Sequence, residues 1–378
     1  MSTFPAEDLF DLNVRRLSAR LPDLDLNAVV LMSPANFTYV TGAVMPAQRD
    51  IPERLSFAVI DTSGTVSVVI CSIDEVPFRR ENPAADATTY IEGEMTPAEA
   101  LAQALEARGL AGGRVGFEAN SMPVAAFREL SLCSPSTTFV EVDALLAELR
   151  STKSELELDL IEAGCVATAA ALYEGVGRFR LGETEARLAL HIQDALESSG
   201  GRVQLINVVS GELTTVPNAL ARHKVIDRGA MIKVDLTGVF SGYLSDMARV
   251  FYAGSASNEQ LKSYEDYVGL YRETLGSVRA ERTAGSVFDE SARLHRDRGL
   301  RFTAPHVGHG IGLALHDQPL LNPGNPHVLA DGMALAVEPR CLLAPAERIH
   351  LEDIVVLRDG EAVVRSNLTL LDAAPVIG

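Results

Sequence analysis

The sequence predicts two domains of different class, an α/β domain at residues 1–149 followed by an α+β domain at residues 150–378. The chain has 378 residues, which is more than one ordinary hydrophobic core accommodates. Before residue 150, short apolar runs alternate with helical segments. After it, two long helical segments precede a series of strands. Hydrophobic residues make up 47% of the chain and charged residues 22%, a balance typical of globular proteins.

The first domain is predicted from the spacing of apolar residues and from turn signals. Thr62-Ser-Gly separates two apolar runs and indicates a hairpin, and Thr96 is placed to cap a helix. The predicted elements in chain order are a strand at Ala28–Ser33, the hairpin of Leu55–Asp61 and Thr65–Cys71, a helix at Thr96–Arg108, a strand at Arg114–Phe117 and a helix at Met122–Leu130.

The second domain begins where the pattern changes, around Val142–Lys153. Ser154–Phe179 is predicted as one long helix, and Thr184–Ser199 as a second helix after the turn at Leu181-Gly182-Glu183. Strands dominate the remainder.

Charge and cysteine usage limit the classes of partner. The formal net charge of −18 argues against nucleic acid and anionic membranes as partners, since both would be repelled. The four cysteines are scattered without a CxxC pair, which suits a reducing compartment. The N-terminus lacks the apolar core of a signal peptide, and no apolar run reaches membrane-spanning length, so we expect a cytoplasmic protein.

The segment Met231–Tyr252 is a predicted hairpin that contains two aspartates. With a turn centred between Phe240 and Ser241, Asp235 and Asp246 lie opposite each other on one face. Facing carboxylates destabilise a hairpin unless a cation neutralises them, which indicates a divalent metal. The alternatives are that one aspartate is a turn or surface residue, or that one pairs with Arg249.

The segment Pro305–Pro319 contains three histidines interleaved with glycines. Neutral imidazole is the commonest ligand of transition metals, and glycine lets backbone approach a ligand closely. His309, with a glycine on each side, is therefore the first candidate ligand. A lone histidine would more often be structural.

Two glutamates interrupt apolar strands near the C-terminus, Glu338 and Glu352. Glutamate is rarely buried unless it is paired or bound to metal. Either alone could be a strand-end residue that reaches solvent. With Asp235, Asp246 and His309, they give four acidic donors and one nitrogen, a set suited to two adjacent Mn, Fe, Co or Zn ions.

This ordered set resembles the pita-bread metallohydrolases, which include methionine aminopeptidase, aminopeptidase P and prolidase. The resemblance rests on Asp235, Asp246, His309-Gly-Ile-Gly, Glu338-Pro339 and Glu352-Asp353. Arg150-Ser-Thr-Lys-Ser resembles the usual start of the pita-bread domain, and Asn36-Phe-Thr-Tyr-Val-Thr-Gly resembles the creatinase-like N-terminal domain of the aminopeptidase P, prolidase and creatinase branch. The likeness covers nearly the whole chain.

The resemblance implies a dinuclear hydrolase in which a hydroxide between two metal ions attacks the substrate carbonyl. Asp235 would hold one ion, His309 and Glu338 the other, and Asp246 and Glu352 both. Glu338 would shuttle the proton, while His316 and His223 would position the substrate and stabilise charge. His306 resembles a substrate-side residue, with a supporting loop role as the alternative. The resemblance also implies a homodimer, in which Arg49 or Arg54 could reach substrate; the alternative is that both are solvated loop residues.

Several positions depart from the family pattern. Peptidase relatives have arginine where this chain has His350, and Arg340 stands where glycine is common. The family's His-Glu is His316-Asp317 here, and its Asp-x-Gly is Asp235-Leu-Thr-Gly. Arg340 and His350 are therefore candidate substrate-binding residues. Arg340 either replaces the missing cation or belongs to a pocket for a small non-peptide substrate, unless it is a surface residue.

Three functional hypotheses follow. The first is an Xaa-Pro peptidase of the aminopeptidase P or prolidase type, with Mn²⁺ as the leading metal. The second is a hydrolase or lyase of a small non-peptide metabolite on the same site, such as one that opens ectoine or cleaves dimethylsulfoniopropionate. The third, a binding module without catalysis, conflicts with five intact ligands, which also argue against creatinase chemistry.

Overall fold

The computed structural model describes residues 6–83, 85–302, 304–344, 347–366, 368–372 and 375–378. The chain divides into two compact units, Met1–Leu149 and Arg150–Gly378. Among the described residues, no helix combines the length and the apolar character that crossing a membrane requires.

The first unit is built on a mixed sheet. Its strands are β1 (Ala28–Leu31), β2 (Phe57–Asp61), β3 (Val66–Cys71), β4 (Asp86–Tyr90), β5 (Arg114–Phe117) and β6 (Thr138–Glu141). The order across the described sheet is β4-β3-β2-β1-β5-β6. Pairing is antiparallel between β1 and β2 and between β2 and β3, and parallel elsewhere.

Helices follow or precede these strands as the sequence predicts for an α/β unit. They are α1 (Ala6–Ser18), α2 (Pro34–Thr41), α3 (Pro46–Asp50), α4 (Glu75–Glu81), α5 (Pro97–Ala107), α6 (Val124–Cys133) and α7 (Asp143–Ser151). The predicted hairpin, the strand at Arg114–Phe117 and the Thr96 cap are confirmed. The Thr96 hydroxyl accepts from the Glu99 amide, and the Glu99 carboxylate accepts from the Thr96 amide, which satisfies two amides of the first turn.

The second unit begins with the two predicted helices. Its helices are α8 (Glu155–Gly177), α9 (Glu185–Ser198), α10 (Asn258–Ser277) and α11 (Ala284–Asp297). Ser154 caps α8 and Thr184 caps α9, each through its side-chain oxygen. The two helices pack closely at Gly175, where an added Cβ would lie 2.5 Å from the Ile192 Cα. Helices α10 and α11 have no counterpart among the predicted elements.

Three sheets complete this unit. Their strands are β7 (Arg202–Ser210), β8 (Met231–Phe240), β9 (Tyr243–Ala253), β10 (Arg301–Phe302), β11 (Gly308–Gly310), β12 (Asp317–Leu320), β13 (Ala334–Val337), β14 (Arg340–Ala344), β15 (Glu347–His350), β16 (Asp353–Arg358), β17 (Glu361–Val364) and β18 (Val376–Ile377). In the described residues their orders are β18-β9-β8-β7, β12-β11-β13-β16-β17 and β10-β14-β15.

Two apolar clusters enclose these sheets. One packs α8 and α9 against the β7–β9 sheet, through residues such as Leu172, Ile192 and Val234. The other packs α10 and α11 against β13 and β16, through Tyr267, Leu335 and Val355. The predicted metal-ligand residues and His350 lie on β8, β9, β11, β15 and the segments that follow β13 and β15.

Candidate metal centre

The β8–β9 hairpin positions the two aspartates, with a register that differs from the prediction. The turn is Ser241-Gly242, so Phe240 pairs with Tyr243, Asp235 pairs with Ala248 and Asp246 pairs with Thr237. The expectation that the aspartates lie directly opposite is therefore wrong by two residues. Because side chains alternate with a period of two, both still share one face of the sheet.

Thr237, the residue that lengthens the Asp-x-Gly pattern, supports the second aspartate. Its hydroxyl donates to Asp246 Oδ1 at 3.0 Å, and both residues are buried. The other alternative for this segment, neutralisation by Arg249, does not occur, since Arg249 binds Asp353 at 2.7 Å.

His309 lies in the middle of β11, between two glycines that are needed for sheet packing. An added Cβ would lie 2.2 Å from the Ala336 carbonyl oxygen at Gly308 and 2.2 Å from that of Gln318 at Gly310. These glycines allow the neighbouring strands to approach closely, whereas the sequence-based interpretation was that they let the backbone approach a ligand. The His309 Nδ1 lies 3.0 Å from the Gly310 carbonyl oxygen, which accepts a hydrogen bond from its N–H. The Nε2 atom then carries the lone pair that can bind a metal.

Glu338 follows β13, and Glu352 lies between β15 and β16. Glu352 is fixed to β9 by its backbone, because its amide donates to the Ala248 carbonyl at 3.1 Å and its carbonyl accepts from the Ala248 amide at 3.3 Å. Both glutamates are buried, with exposed fractions of 5% and 2%. Neither is a strand-end residue that reaches solvent.

The side chains converge into two overlapping groups of potential metal donors, which share Glu352. One group is Asp246, His309 and Glu352, and the other is Glu338, His350 and Glu352. Within each group, the donor atoms lie within 4.8 Å of one another. The His309 Nε2 lies 3.9 Å from both Glu338 and Glu352. Asp235 joins the cluster through His350, whose Nδ1 is 3.8 Å from its carboxylate.

The carboxylates of this cluster perturb one another's ionisation. Burial, followed by repulsion from neighbouring carboxylates, raises the pKa of Asp246 and that of Glu352 well above their ordinary values. Burial also opposes ionisation of Glu338, but a hydrogen bond from His350 and the charge of Arg340 outweigh it and lower the Glu338 pKa to about 2. Burial lowers the His309 pKa to about 4, so its ring is neutral at neutral pH.

These donors fit a divalent metal centre. Carboxylates that are ionised and buried at this density are stable only when a cation compensates their charge. Oxygen donors with imidazole, in a pocket where the carboxylates repel one another, are the chemistry that divalent cations require. Four of the five predicted ligands, Asp246, His309, Glu338 and Glu352, thus belong to one buried cluster, and Asp235, whose side chain is 15% exposed, lies at its edge.

Two of the three predicted accessory histidines stand beside this cluster. The His316 ring stacks on His309 with centroids 4.0 Å apart, and His316 is an exposed residue. His306 Nδ1 lies 3.4 Å from Glu338, and burial lowers the His306 pKa. His223 is exposed in the chain between Thr215 and β8, and among the described residues no hydrogen bond or ion pair joins its side chain to the cluster.

Arg340 and His350 face each other across β14 and β15 as a directly paired position. The Arg340 guanidinium lies 3.4 Å from the Glu338 carboxylate and its side chain is 23% exposed, so it is neither a pure surface residue nor a buried one. The Arg340 cation therefore stands next to His350, the position at which the family resemblance leads us to expect arginine. His350 is 2% exposed and lies among the carboxylates themselves.

A buried network behind the cluster was not predicted. Arg249 donates to the carbonyls of Ala248 and Glu352 at 2.9 and 2.8 Å, and to the Asp353 carboxylate. The Tyr271 hydroxyl donates to the same carboxylate at 2.7 Å. Arg249 and Asp353 are 2% and 0% exposed. The network holds the backbone on both sides of Glu352. The feature of the sequence that could have indicated this network is Arg249, a charged residue within the otherwise apolar part of β9.

Asp317 has a structural partner that explains its position beside His316. Its buried carboxylate binds the Arg150 guanidinium and lies 3.9 Å from the Lys153 ammonium. The first residues of the second unit thus fix the start of β12 and the histidine that precedes it.

Asn207 and Lys233 are two further polar residues on the aspartate face that sequence reasoning missed. Asn207 pairs directly with Asp235 across β7 and β8 and is fully buried. Within the part of the chain that the structure describes, neither of its side-chain amide atoms has a hydrogen-bond partner. Lys233 precedes Asp235 by two residues and is 4% exposed. Burial lowers the Lys233 pKa, and the charges of Arg340 and Arg348 lower it further. Asparagine and lysine within apolar strands were the available signals.

Arg49 and Arg54, the two loop arginines of the first unit, have partners of their own. Arg54 binds Glu92 at 2.9 Å and lies 3.9 Å from Asp74, and Arg49 binds Asp50 at 2.8 Å.

Comparison with known proteins matches both parts of the chain. Residues 159–359 match the model of metallopeptidase family M24, and residues 14–152 match the creatinase/prolidase N-terminal domain. An Xaa-Pro dipeptidase of Pyrococcus horikoshii is 25% identical over 246 residues, which cover 64% of this chain and 70% of the relative. The probable dipeptidase PepE of Mycobacterium tuberculosis is 27% identical over 373 residues, or 95% and 96% of the two chains.

Solved structures share the fold over almost the whole length. The X-Pro aminopeptidase of Thermotoga maritima superposes with a TM-score of 0.84 at 21% identity and covers 96% of this chain and 99% of its own. Dipeptidase PepE of Mycobacterium ulcerans gives 0.82 at 24% identity, covering 96% and 97%. The expected combination of a creatinase-like domain and a pita-bread domain is confirmed.

Proposed function

The chain belongs to metallopeptidase family M24, and from that premise we propose that it is a metal-dependent peptidase that cleaves short Xaa-Pro peptides before proline. The convergence of Asp246, His309, Glu338 and Glu352 in one buried cluster, with the half-buried Asp235 at its edge, carries the proposal. The names of the Pyrococcus and Mycobacterium relatives, an Xaa-Pro dipeptidase and a probable dipeptidase, support it.

The five residues would hold two divalent ions, with Glu352 common to both donor groups. Mn²⁺ is the first ion to test because four of the five donors are carboxylates, and Co²⁺, Zn²⁺ and Fe²⁺ are the alternatives. When bound, such ions acidify water and polarise a carbonyl or its developing oxyanion.

The protein's own residues supply proton transfer and orientation. Glu338 is ionised, since its pKa is lowered to about 2, and it is the group placed to take the proton of the attacking water. His316 stacks on His309 and is an exposed residue, so it is placed to contact the peptide next to the centre. His306 lies on the same side, beside Glu338. We assign His223 the same substrate-positioning role on the strength of the family resemblance.

The substrate is proposed to be short because cations gather beside the centre. Arg340 is partly exposed and 3.4 Å from Glu338, and Arg340 and Arg348 both act on the Lys233 ammonium. This positive patch suits the free carboxylate of a dipeptide, which guanidinium groups bind well. Arg340 thus supplies the cation that relatives carry at the position of His350.

The proposal extends to location and assembly. The four cysteines are free, which suits a cytoplasmic enzyme in a reducing environment. The creatinase-like N-terminal domain supports a homodimer, as in the relatives that carry it. Light scattering should give twice the mass of one chain, and a monomer at working concentration would contradict this part.

The experiment is a peptide panel with metal-free protein reloaded with each of the four metals. We expect cleavage of Ala-Pro and Gly-Pro, slower cleavage of Ala-Pro-Ala and none of Ala-Ala. Asp246→Ala should lower kcat/KM by about 100-fold or more, since several kcal/mol of transition-state stabilisation are lost. Asp266→Ala, at an exposed ion pair on α10, is the matched control and should not change it.

One observation favours a second candidate, a hydrolase or lyase of a small non-peptide metabolite. His350 takes the place of the arginine found in peptidase relatives, and Arg340 alters the pocket beside Glu338. Bound metal without turnover of any Xaa-Pro peptide would reject the peptidase and favour this alternative. Small amides with a carboxylate would then be the next substrates to test.

A further inference from the structure

His350 lies inside the carboxylate cluster at the end of β15. Its Nε2 is 3.1 Å from Glu338 Oε2 and 3.4 Å from Glu352 Oε2, and its Nδ1 is 3.8 Å from Asp235 Oδ2. The residue is 2% exposed. A histidine whose task was only to contact substrate should be accessible, as the exposed His316 is.

The distances around the His350 Nε2 also fit donors that share one ion, which would take the place of the hydrogen that this atom donates to Glu338. Two neighbouring ligands with metal bonds of about 2.1 Å lie roughly 3.0–3.5 Å apart in octahedral or tetrahedral coordination. Both Nε2 distances to the glutamates fall in this range.

The two glutamates also divide their oxygens between the two histidines. His309 Nε2 is nearest the Oε1 atoms of Glu338 and Glu352, whereas His350 Nε2 is nearest the Oε2 atoms. The imidazoles therefore stand on opposite sides of the same carboxylate pair. Each of the two donor groups contains one imidazole and the shared Glu352.

We propose that His350 is a sixth protein ligand of the metal centre, so that each of the two ions has one imidazole. This inference rests on the proposed function, because it assigns a ligand to the same centre. It replaces the substrate-contact role that the sequence pattern indicated for His350.

His306 provides an internal comparison. It also contacts Glu338, at 3.4 Å through Nδ1, but among the described residues it has no second carboxylate within ion-pair distance, and its side chain is 14% exposed. A ligand needs several donors around one point, which His350 has and His306 lacks. His306 is therefore the matched control.

A second imidazole changes the metals that the centre favours. Imidazole suits Zn²⁺, Fe²⁺ and Ni²⁺ better than Mn²⁺, which prefers oxygen donors. Relative to His350→Arg, which restores the family residue, the native protein should bind Zn²⁺ and Co²⁺ at least 10-fold more tightly, with a smaller change for Mn²⁺.

The decisive experiment measures by X-ray absorption the average number of imidazoles bound to each zinc ion. This average is multiplied by the number of zinc ions per chain to give the number of imidazoles per chain. The protein is the full chain reloaded with zinc alone. We expect two imidazoles per chain in the native protein, one in His350→Gln, one in His309→Gln and two in His306→Gln. A change in zinc affinity alone would not suffice, since residues that only support ligands also alter affinity 10- to 100-fold.

One imidazole per chain in native protein that holds two zinc ions would overturn the inference and leave the peptidase proposal intact. Equal counts in the native protein and His350→Gln would overturn it as well. Failure of the native protein to bind any divalent metal would reject the metal centre itself, and the inference with it. The native count tests the proposal even where a variant fails to fold.

Discussion

Arg340 is the single residue that most directly links the site to a short substrate. Its guanidinium lies beside Glu338 and remains partly exposed. We predict that Arg340→Gln raises KM for Ala-Pro by roughly 10- to 100-fold, the value of a lost charge-assisted hydrogen bond. Steady-state kinetics on Ala-Pro and on its C-terminal amide measure this.

The comparison of the two substrates separates carboxylate recognition from general damage. The KM for the amide should change little in the variant, because the amide has no carboxylate for Arg340 to bind. Equal losses for both substrates would contradict the assignment. Arg279→Gln, at an exposed pair with Glu361, is the control and should leave both KM values unchanged.

Asp246 and Glu352 give the centre a pH dependence. Burial and mutual repulsion raise their pKa values well above the ordinary ones, so the metal-free folded protein holds these protons more tightly than the unfolded chain does. Metal-free protein should therefore lose stability as pH rises from about 4, where free carboxyls ionise, through the raised values. Thermal unfolding of metal-free protein at several pH values measures this, and a stability that rises over the same range would contradict it.

Metal binding should displace the same protons. At pH 6, calorimetric titration with Mn²⁺ in two buffers of different ionisation heat should show net proton release. In Asp246→Ala the number of protons released should be smaller. An unchanged number would show that the Asp246 carboxyl is already ionised in the metal-free state.

At the residue level, the members of the cluster were predictable from sequence but their surroundings were not. Carboxylates and a glycine-flanked histidine in apolar strands have no ordinary core role, so Asp235, Asp246, His309, Glu338 and Glu352 stood out. The register of the hairpin depended on one turn residue, and the prediction placed the turn one position early. Asn207 has no motif, and only the pairing of β7 with β8 brings it beside Asp235.

The element that positions Glu352 is the buried Arg249–Asp353 pair between β9 and β16. Asp353→Asn leaves the Arg249 cation without its carboxylate, and removing one partner of a buried pair costs about 3–5 kcal/mol. We predict that chemical denaturation of the variant shows this decrease in the free energy of unfolding. Metal binding should also weaken, because Arg249 hydrogen-bonds to the Glu352 carbonyl.

Two further variants test whether the pair acts as a unit. Arg249→Met combined with Asp353→Leu should be less destabilised than Asp353→Asn alone, since no unpaired charge remains. Arg279→Ala, which breaks an exposed pair, should cost less than about 1 kcal/mol. A double variant at least as unstable as Asp353→Asn would contradict this account.

The elements themselves were predicted where local signals are strong. Ser154, Thr184 and Thr96 mark helix starts by their chemistry, and Thr62-Ser-Gly marks a hairpin. Helices α10 and α11 were missed, although Ser257 and Thr283 cap them through the same kind of bond. The pairing of Arg340 with His350 could not be predicted, because it depends on the β14–β15 register.

For the whole molecule, metal binding should be linked to folding because the donors come from β8, β9, β11 and the ends of β13 and β15. A ligand at 100 times its Kd stabilises the folded state by about 2.7 kcal/mol. For a unit of this size the Tm should rise by roughly 5–10 °C. Calorimetry should show the rise in the native protein and not in Asp246→Ala, and an equal rise in both would place the metal elsewhere.

For the whole molecule, the sequence was sufficient to predict the fold class. Alternating strands and helices indicated an α/β unit, and helices followed by strands indicated an α+β unit. The substrate was not predictable in the same way. In our proposal it depends on Arg340, Arg348 and Lys233, which come from three different strands and carry no shared motif.

The most direct test of the central proposal follows metal content and catalysis together. Metal-free protein is titrated with Mn²⁺ or Co²⁺ while bound metal and Ala-Pro hydrolysis are measured on the same samples. We predict no hydrolysis without metal and a rate that rises with occupancy up to two ions per chain. Hydrolysis by metal-free protein, or none of any Xaa-Pro peptide at full occupancy, would contradict the account.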